Sequence, residues 1–248
     1  MPGMYCPWLL RRTERLKGKK IRNSLILLFL LLGLRSPDVR ATENESGAWL
    51  IGSFSGSFGS DDRPSHWRYA LQGQYRNFSL GDGVRQGIIR AGLGYQVNSK
   101  VTLWGGYAYY HTDVDNVGTA HESRSWQQVN WTMGSGDWGT FKSRTRLEQR
   151  FREHREGTGL MLRQQFRLDI PAHARGSLSY ILGVEAFFHL RTTDWAEKGF
   201  NQNRIFIGLS FKISPRMRLE VGYMNQFIRI RQSPDLINHL AIVNLKFR

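Results

Sequence analysis

The sequence predicts an all-β protein, a transmembrane antiparallel up-and-down β-barrel of about 10–12 strands. Most of the chain alternates between apolar and polar side chains, which is the period of a β-strand. Many alternating segments are longer than about five or six residues, which is the usual length of strands in soluble sheets. Trp, Tyr and Phe lie near the ends of their neutral faces, as in the aromatic girdles of membrane barrels.

The chain begins with a predicted secretory signal peptide, residues 1–41. It combines a basic stretch at 11–22, an apolar run at 24–34 and the small residues Val39 and Ala41 around a cleavage site. The apolar run is too short for a transmembrane helix. Residues 42–248 are the predicted barrel domain, exported to the outer membrane of a Gram-negative cell.

The charge balance changes once the signal peptide is set aside. Residues 1–40 hold nine Lys or Arg and two Asp or Glu, so the formal net charge falls from +15 to +8. Together with export, this argues against a nucleic-acid partner. The only cysteine, Cys6, lies in the predicted signal peptide, so no disulfide or cysteine metal site is expected in the barrel domain.

Eleven segments are candidate strands, and turn residues separate them. The segments lie around 48–58, 67–75, 89–97, 101–109, 122–133, 141–152, 160–168, 178–190, 205–213, 219–227 and 241–247. Short turns at 98–100, 135–139, 170–176 and 214–216 suit the periplasmic end, and stretches 111–122, 190–203 and 229–237 are expected outside the cell. A closed single-chain bacterial barrel normally has an even number of strands, which favours ten or twelve.

Segment 141–152 indicates which face points inward. Its odd positions are neutral and its even positions are all charged. Five Arg or Lys facing lipid would cost on the order of 10 kcal/mol, which is comparable to the whole stability of a domain. We therefore expect the charged faces to line the lumen. The lumen-lining candidates are Lys142, Arg144, Arg146, Glu148, Arg150, Arg152, Arg163, Arg167, Glu185, Arg204, Arg218 and Glu220.

The final strand carries a pattern typical of outer-membrane assembly. Ala241, Val243, Leu245 and Phe247 alternate toward the C-terminus, although Arg248 follows the usual terminal Phe. The expected partners are outer-membrane lipid and lipopolysaccharide, and the β-barrel assembly machinery through this strand. The competing interpretation is a soluble periplasmic barrel like a lipocalin, in which the apolar faces would point inward.

Four segments resemble a known family. RTRLEQRF (144–151), GFNQNRIFIGLSF (199–211), GYMNQF (222–227) and QYRNF (74–78) are similar to the bacterial domain-of-unknown-function family 2490. The resemblance covers about residues 47–248. It implies an outer-membrane β-barrel-like fold and brings no established activity or catalytic residue.

Catalysis is not predicted, and no cofactor is expected. Glu185 and His189 share a face but lie roughly 13 Å apart along a strand at about 3.3 Å per residue, too far for a dyad. A partner on another strand for His189, His111 or His154 stays open. The histidines lack metal-ligand spacing. In 199–204, Asn201, Gln202 and Asn203 are loop candidates for contacting a sugar or anion, although a structural role in a turn is favoured.

Two functional interpretations follow. A narrow passive channel would favour anions or acidic oligosaccharides, because the assigned inner faces carry fourteen basic and four acidic residues. Alternatively, side chains fill the interior and the barrel is a non-conducting structural or interaction protein.

Overall fold

The computed structural model describes residues 42–60, 63–78, 83–173, 177–230 and 233–248. The predicted signal peptide, residues 1–41, lies outside these ranges. Within the described ranges, no helical segment has the length and hydrophobicity needed for a membrane crossing.

Eleven strands form one closed barrel from the described residues, which confirms the predicted fold class. They are β1 (Thr42–Ser60), β2 (Arg63–Phe78), β3 (Val84–Gln96), β4 (Val101–Val114), β5 (Gly118–Gly136), β6 (Gly139–Arg152), β7 (Gly159–Pro171), β8 (Leu178–His189), β9 (Gly199–Ser214), β10 (Met217–Ile228) and β11 (Asp235–Phe247). Each strand pairs antiparallel with the next one along the chain.

The barrel closes through a parallel pair, β1 with β11, from Thr42 beside Asp235 to Phe54 beside Phe247. In an up-and-down barrel the first and last strands run in the same direction whenever the strand number is odd. The expectation of an even number was therefore wrong, and the eleven candidate segments correspond to the eleven strands. The N-terminal end of β1 and the C-terminal end of β11 lie at opposite mouths of the barrel.

One of the expected external stretches is largely strand, and a second is strand only at its end. Residues 111–122 belong to β4 and β5 apart from a tight turn at 115–117, and 199–203 belong to β9. The turn is possible because Asn116 and Gly118 adopt positive φ angles of 61° and 110°. Cross-strand pairing continues up to such a turn, so these strands extend further than the change in polarity along the sequence suggested.

The two faces of the wall have opposite character. Large apolar side chains are exposed on the outer face, with Ile89 64% and Ile207 54% exposed, whereas Glu148 and Arg146 are buried inside at 1% and 4%. Soluble proteins bury apolar groups and expose charged ones. This barrel does the reverse, as transmembrane barrels do.

Candidate functional site

The interior of the barrel contains a network of buried ion pairs, and Glu148 on β6 is its most enclosed member. Arg163 Nη1 donates to Glu148 Oε1 at 2.7 Å, and Arg124 Nη1 donates to Oε2 at 2.8 Å. Arg146 Nη1 lies 3.4 Å from Oε1. Three guanidinium groups from β5, β6 and β7 thus surround one carboxylate. Such an arrangement offsets the large cost of taking charges out of water.

Glu185 on β8 is the second centre of the network. Arg163 donates to its Oε1 from Nε at 3.0 Å and from Nη2 at 2.8 Å, and Arg144 Nη2 donates to the same oxygen at 2.7 Å. Arg204 Nη1 lies 3.8 Å from Oε2. Arg163 therefore links Glu148 to Glu185, so the two centres form one network.

Glu122 on β5 is the third centre of the network, and it lies toward the mouth at which β1 begins. Arg150 donates to both of its carboxylate oxygens, at 2.6 and 2.9 Å, which is the strong bidentate geometry. Arg124 Nε donates at 2.6 Å, and Arg152 Nε lies at 3.9 Å. Because Arg124 also bonds to Glu148, it joins this group to the central one.

Near the opposite mouth, which contains the C-terminus, the interior opens into a vestibule of about 600 Å³. Its charged lining comprises Lys100, Lys142, Arg144, Arg167, Arg218, Lys246, Arg248, Asp169 and Glu220. Seven of these nine groups are basic, so the vestibule has an excess of positive charge. Its inner end is formed by Gln128 and Arg144, which bond to the buried Arg146 and Glu185.

Beyond the vestibule, side chains fill the barrel from every side. Each of the eleven strands directs inward a side chain that is at most 9% exposed. These residues, called the side-chain plug below, are Trp49, Arg76, Ile88, Tyr110, Trp126, Glu148, Arg163, Glu185, Arg204, Gln226 and Leu240. A continuous water channel would expose the side chains that line it. The plug residues are buried, so they do not line an open water path in this conformation.

Aromatic rings fill the space between the charges. Arg204 of β9 lies 4.6 Å from the ring centroid of Phe187 and 4.8 Å from that of Trp49, on β1. Arg76 packs on the same Trp49 ring at 4.0 Å. Guanidinium groups stack favourably on such rings when water is excluded. These contacts reach across the barrel and complete its packing.

The predicted lumen candidates lie in three regions. Arg146, Glu148, Arg150, Arg163, Glu185 and Arg204 are buried in or beside the plug. Lys142, Arg144, Arg167, Arg218 and Glu220 line the vestibule, while Arg152 lies near the opposite mouth beside Trp195.

The prediction of a loop at Asn201, Gln202 and Asn203 was wrong, because all three lie within β9. Pairing with β8 and β10 takes precedence over the local turn preference of Asn: Gln202 pairs with Phe187, and Asn203 with Ala186. Gln202 lies two residues before Arg204 and points inward with it, and it is 8% exposed. With its amide in the orientation that satisfies its neighbours, Gln202 accepts from Arg204 Nε at 2.6 Å.

The three histidines left open as catalytic candidates lie on different parts of the chain: His111 on β4, His154 between β6 and β7, and His189 on β8. His111 Nδ1 lies 3.3 Å from His121 Nδ1 on the outer face, and Tyr109 hydrogen-bonds to His121 at 2.7 Å. His189 is buried beside the ring of Trp195. Among the described residues, no group of three or more His, Asp or Glu is arranged to hold a metal ion.

Two central charges were missing from the sequence-based set, Glu122 and Arg124 of β5. The signal for them was present, since they share the even face with Trp126 and Gln128. Near Glu122 and Arg124, the odd face of β5 carries Ser, His and Gln, so it is polar as well. The difference between an apolar and a charged face, which identified the inner faces of the other strands, is therefore weak on β5.

The chain belongs to the family described as "Protein of unknown function (DUF2490)", which matches residues 46–236. An uncharacterized protein of Methylorubrum extorquens is 36% identical over 176 residues, covering 68% of this chain and 76% of the relative. Both findings agree with the resemblance seen in the sequence.

Two solved porin structures have a distant likeness to the barrel. The structure titled "KdgM porin" has a TM-score of 0.43 and 13% identity, covering 70% of this chain and 81% of its own. A NanC porin structure has a TM-score of 0.48 and 10% identity, covering 81% and 98%.

Proposed function

We propose that this protein is an outer-membrane β-barrel whose lumen is closed by its own side chains, so that it acts as a non-conducting structural or interaction barrel. The observation that carries the proposal is the side-chain plug, to which every strand contributes a buried residue. Small barrels have interiors that side chains can fill. No catalytic role is proposed.

The distribution of polarity supports the membrane location. Apolar side chains cover the middle of β1–β3 and β8–β11 on the outer face, where Leu50, Leu71, Ile89 and Ile207 are each more than half exposed. So much apolar surface is unfavourable in water. A soluble lipocalin-like barrel would need the opposite arrangement, with these residues inside.

The proposal includes the partners expected of such a barrel. Lipid and lipopolysaccharide contact the apolar outer face, and the assembly machinery engages β11, whose outward residues Ala241, Val243, Leu245 and Phe247 form the alternating terminal pattern.

A second candidate is a narrow anion pathway, and the basic vestibule favours it. The vestibule carries seven basic and two acidic side chains, so a small anion or acidic oligosaccharide would be attracted to this mouth. Passage further inward would require rearrangement of the plug.

The decisive experiment combines fractionation with planar-bilayer recording on the purified full chain. We expect the protein in outer membranes, a heat-modifiable band in SDS gels, and no steady current. A steady anion-selective current would favour the second candidate. Recovery in the soluble periplasm without a mobility shift would contradict the membrane location itself.

A further inference from the structure

One side of the outer wall differs from the rest. On β5, β6 and β7, uncharged polar side chains point outward around the middle of the strands. This surface, called the polar wall below, consists of Ser123, Ser125, Gln127, Ser143, Thr145, Gln149 and Gln164. The registers place these residues on adjoining strands, with Ser125 opposite Gln149 and Thr145 opposite Gln164. They form two clusters on the same side of the barrel, with Leu147 of β6 lying between them.

The centre of the polar wall is a pair of glutamine amides. Gln149 Nε2 donates to Gln127 Oε1 at 3.0 Å, and Gln127 Nε2 donates back to Gln149 Oε1 at 3.3 Å. Ser125 Oγ adds a hydrogen bond to Gln149 Oε1 at 2.8 Å. Each amide nitrogen has two hydrogens. The reciprocal pair uses one on each side, so each amide retains a second N–H that can bind an acceptor outside the barrel.

A second cluster extends the wall across β6 and β7. Thr145 Oγ1 donates to Gln164 Oε1 at 2.6 Å, and Gln164 Nε2 donates to Ser143 Oγ at 2.8 Å. The hydroxyl of Ser143 has a hydrogen of its own that can be donated outward. Thr145 and Gln127 are both exposed.

The opposite side of the barrel has no comparable patch at mid-strand. Leu50, Leu71 and Ile89 point outward on β1, β2 and β3, and Leu182, Ile207 and Val221 do so on β8, β9 and β10. The polar wall is therefore a local feature of three strands.

Hydrocarbon offers these groups no hydrogen-bonding partner, so an amide facing it is unfavourable. A protein surface with matching groups removes that cost. We propose that the polar wall is the contact surface of a homodimer, in which a second copy of this chain presents the same wall about a two-fold axis. The inference rests on the membrane location proposed above and is independent of whether the lumen conducts.

The chemistry of the wall favours a second copy over a different partner. It carries no charge, so it offers no counter-ion to an acidic or basic partner. Amides and hydroxyls each donate and accept, so a surface made of them is complementary to itself. This self-complementarity is what a two-fold interface needs. The short Ser and Thr side chains also allow two walls to approach closely, as small residues do between transmembrane segments.

Single-cysteine cross-linking in native outer membranes tests the proposal. In a Cys6→Ser background, Gln149→Cys places a thiol on the polar wall, and Leu50→Cys places one on β1, on the far side of the closed strand order. With a short bis-maleimide we expect a band of twice the monomer mass for Gln149→Cys and none for Leu50→Cys. Both variants must show the heat-modifiable band, which confirms that each is folded.

A second measurement tests the polar wall with a variant that carries no added cysteine. The purified Gln127→Leu/Gln149→Leu variant should dimerise more weakly in detergent, as measured by light scattering. The expected loss is roughly threefold to tenfold per amide, the size of one side-chain hydrogen bond between transmembrane segments. Unchanged dimerisation of this variant would overturn the proposal.

The other outcomes are equally decisive. Three results with folded Gln149→Cys protein would overturn the homodimer and leave the membrane location intact. They are no dimer, as much dimer as Leu50→Cys gives, and a cross-link to a different protein. If the Cys6→Ser parent is recovered in the soluble fraction, the membrane location is wrong, and the homodimer inference is overturned with it.

Discussion

Arg167 on β7 donates two hydrogen bonds, at 2.6 and 3.2 Å, to Glu220 on β10, three strands further around the barrel. The two side chains span the lumen directly. Lys246 of β11 adds a third hydrogen bond to Glu220 at 2.7 Å. Ion pairs of this kind connect strands that are not neighbours in the barrel. The charged interior therefore stabilises the closed barrel in addition to the backbone hydrogen bonds between adjacent strands.

Glu148→Gln is expected to destabilise the barrel strongly. The substitution leaves Arg124, Arg146 and Arg163 buried without their shared carboxylate, and breaking a buried ion pair costs about 3–5 kcal/mol. Urea unfolding of the refolded protein in detergent measures the loss. The control is Glu153→Gln, because Glu153 is half exposed between β6 and β7 and its pairs contribute about 0–1 kcal/mol. Equal effects at the two positions would contradict the role given to Glu148.

Two adjacent glycines of β4 should respond differently to alanine. A Cβ at Gly106 would collide with the Trp126 ring and with the carbonyl oxygen of Ala91, whereas one at Gly105 would meet nothing within 4 Å. Gly106→Ala should therefore lower the free energy of unfolding by about 1–3 kcal/mol through overpacking. Gly105→Ala should leave it nearly unchanged. The same urea titration compares them, and a tolerated Gly106→Ala would mean that Trp126 does not pack as described.

Phe187→Ala should make the barrel leak. Its ring lies inside, 4.5 Å from the guanidinium carbon of Arg163 and 4.6 Å from that of Arg204, so its removal opens a gap in the packing of the plug. Phe188 is the matched control, because the next residue on β8 points outward and touches Phe200. We expect planar-bilayer current from Phe187→Ala and background current from Phe188→Ala. No added current from Phe187→Ala would show that its ring does not contribute to closing the lumen.

Ile89→Arg separates the membrane from the soluble interpretation. Ile89 is 64% exposed, so in a soluble protein the arginine would reach water at little cost. Facing lipid near mid-strand, it should cost about 2–4 kcal/mol. The readout is the fraction of heat-modifiable protein in outer membranes. Val117→Arg is the control, since Val117 is 82% exposed in the tight turn and its substitute stays at the rim. If both variants assemble normally, Ile89 does not face hydrocarbon.

The sequence was sufficient to assign the faces of most strands, because a period of two depends only on local geometry. Segment 141–152 shows this well: Arg146 and Glu148 are buried inside β6, as the charge argument predicted. The rule failed on β5, where Glu122 and Arg124 were overlooked. Their strand carries polar residues on both faces, so hydropathy alone does not distinguish inside from outside.

The closure of the barrel, the pairing of its buried charges and the filling of its lumen could not be predicted, because each depends on contacts between distant parts of the chain. The parallel contact of β1 with β11 joins segments almost two hundred residues apart. No local pattern specifies that Arg163 would bridge Glu148 and Glu185. Whether a charged lumen is open or filled depends on the number of strands and on the contacts that long side chains make across the lumen, such as that of Arg204 with Trp49.

The parallel closure of β1 on β11 also constrains how the chain enters a bilayer. A barrel with an even number of strands can be divided into hairpins, each inserted with both ends remaining in the compartment of origin. Eleven strands leave one without a hairpin partner, and one end of that strand has to be translocated to the far compartment. Epitopes placed between the signal-peptide cleavage site and Thr42 and after Arg248 would therefore become accessible to antibody on different sides of the same membrane.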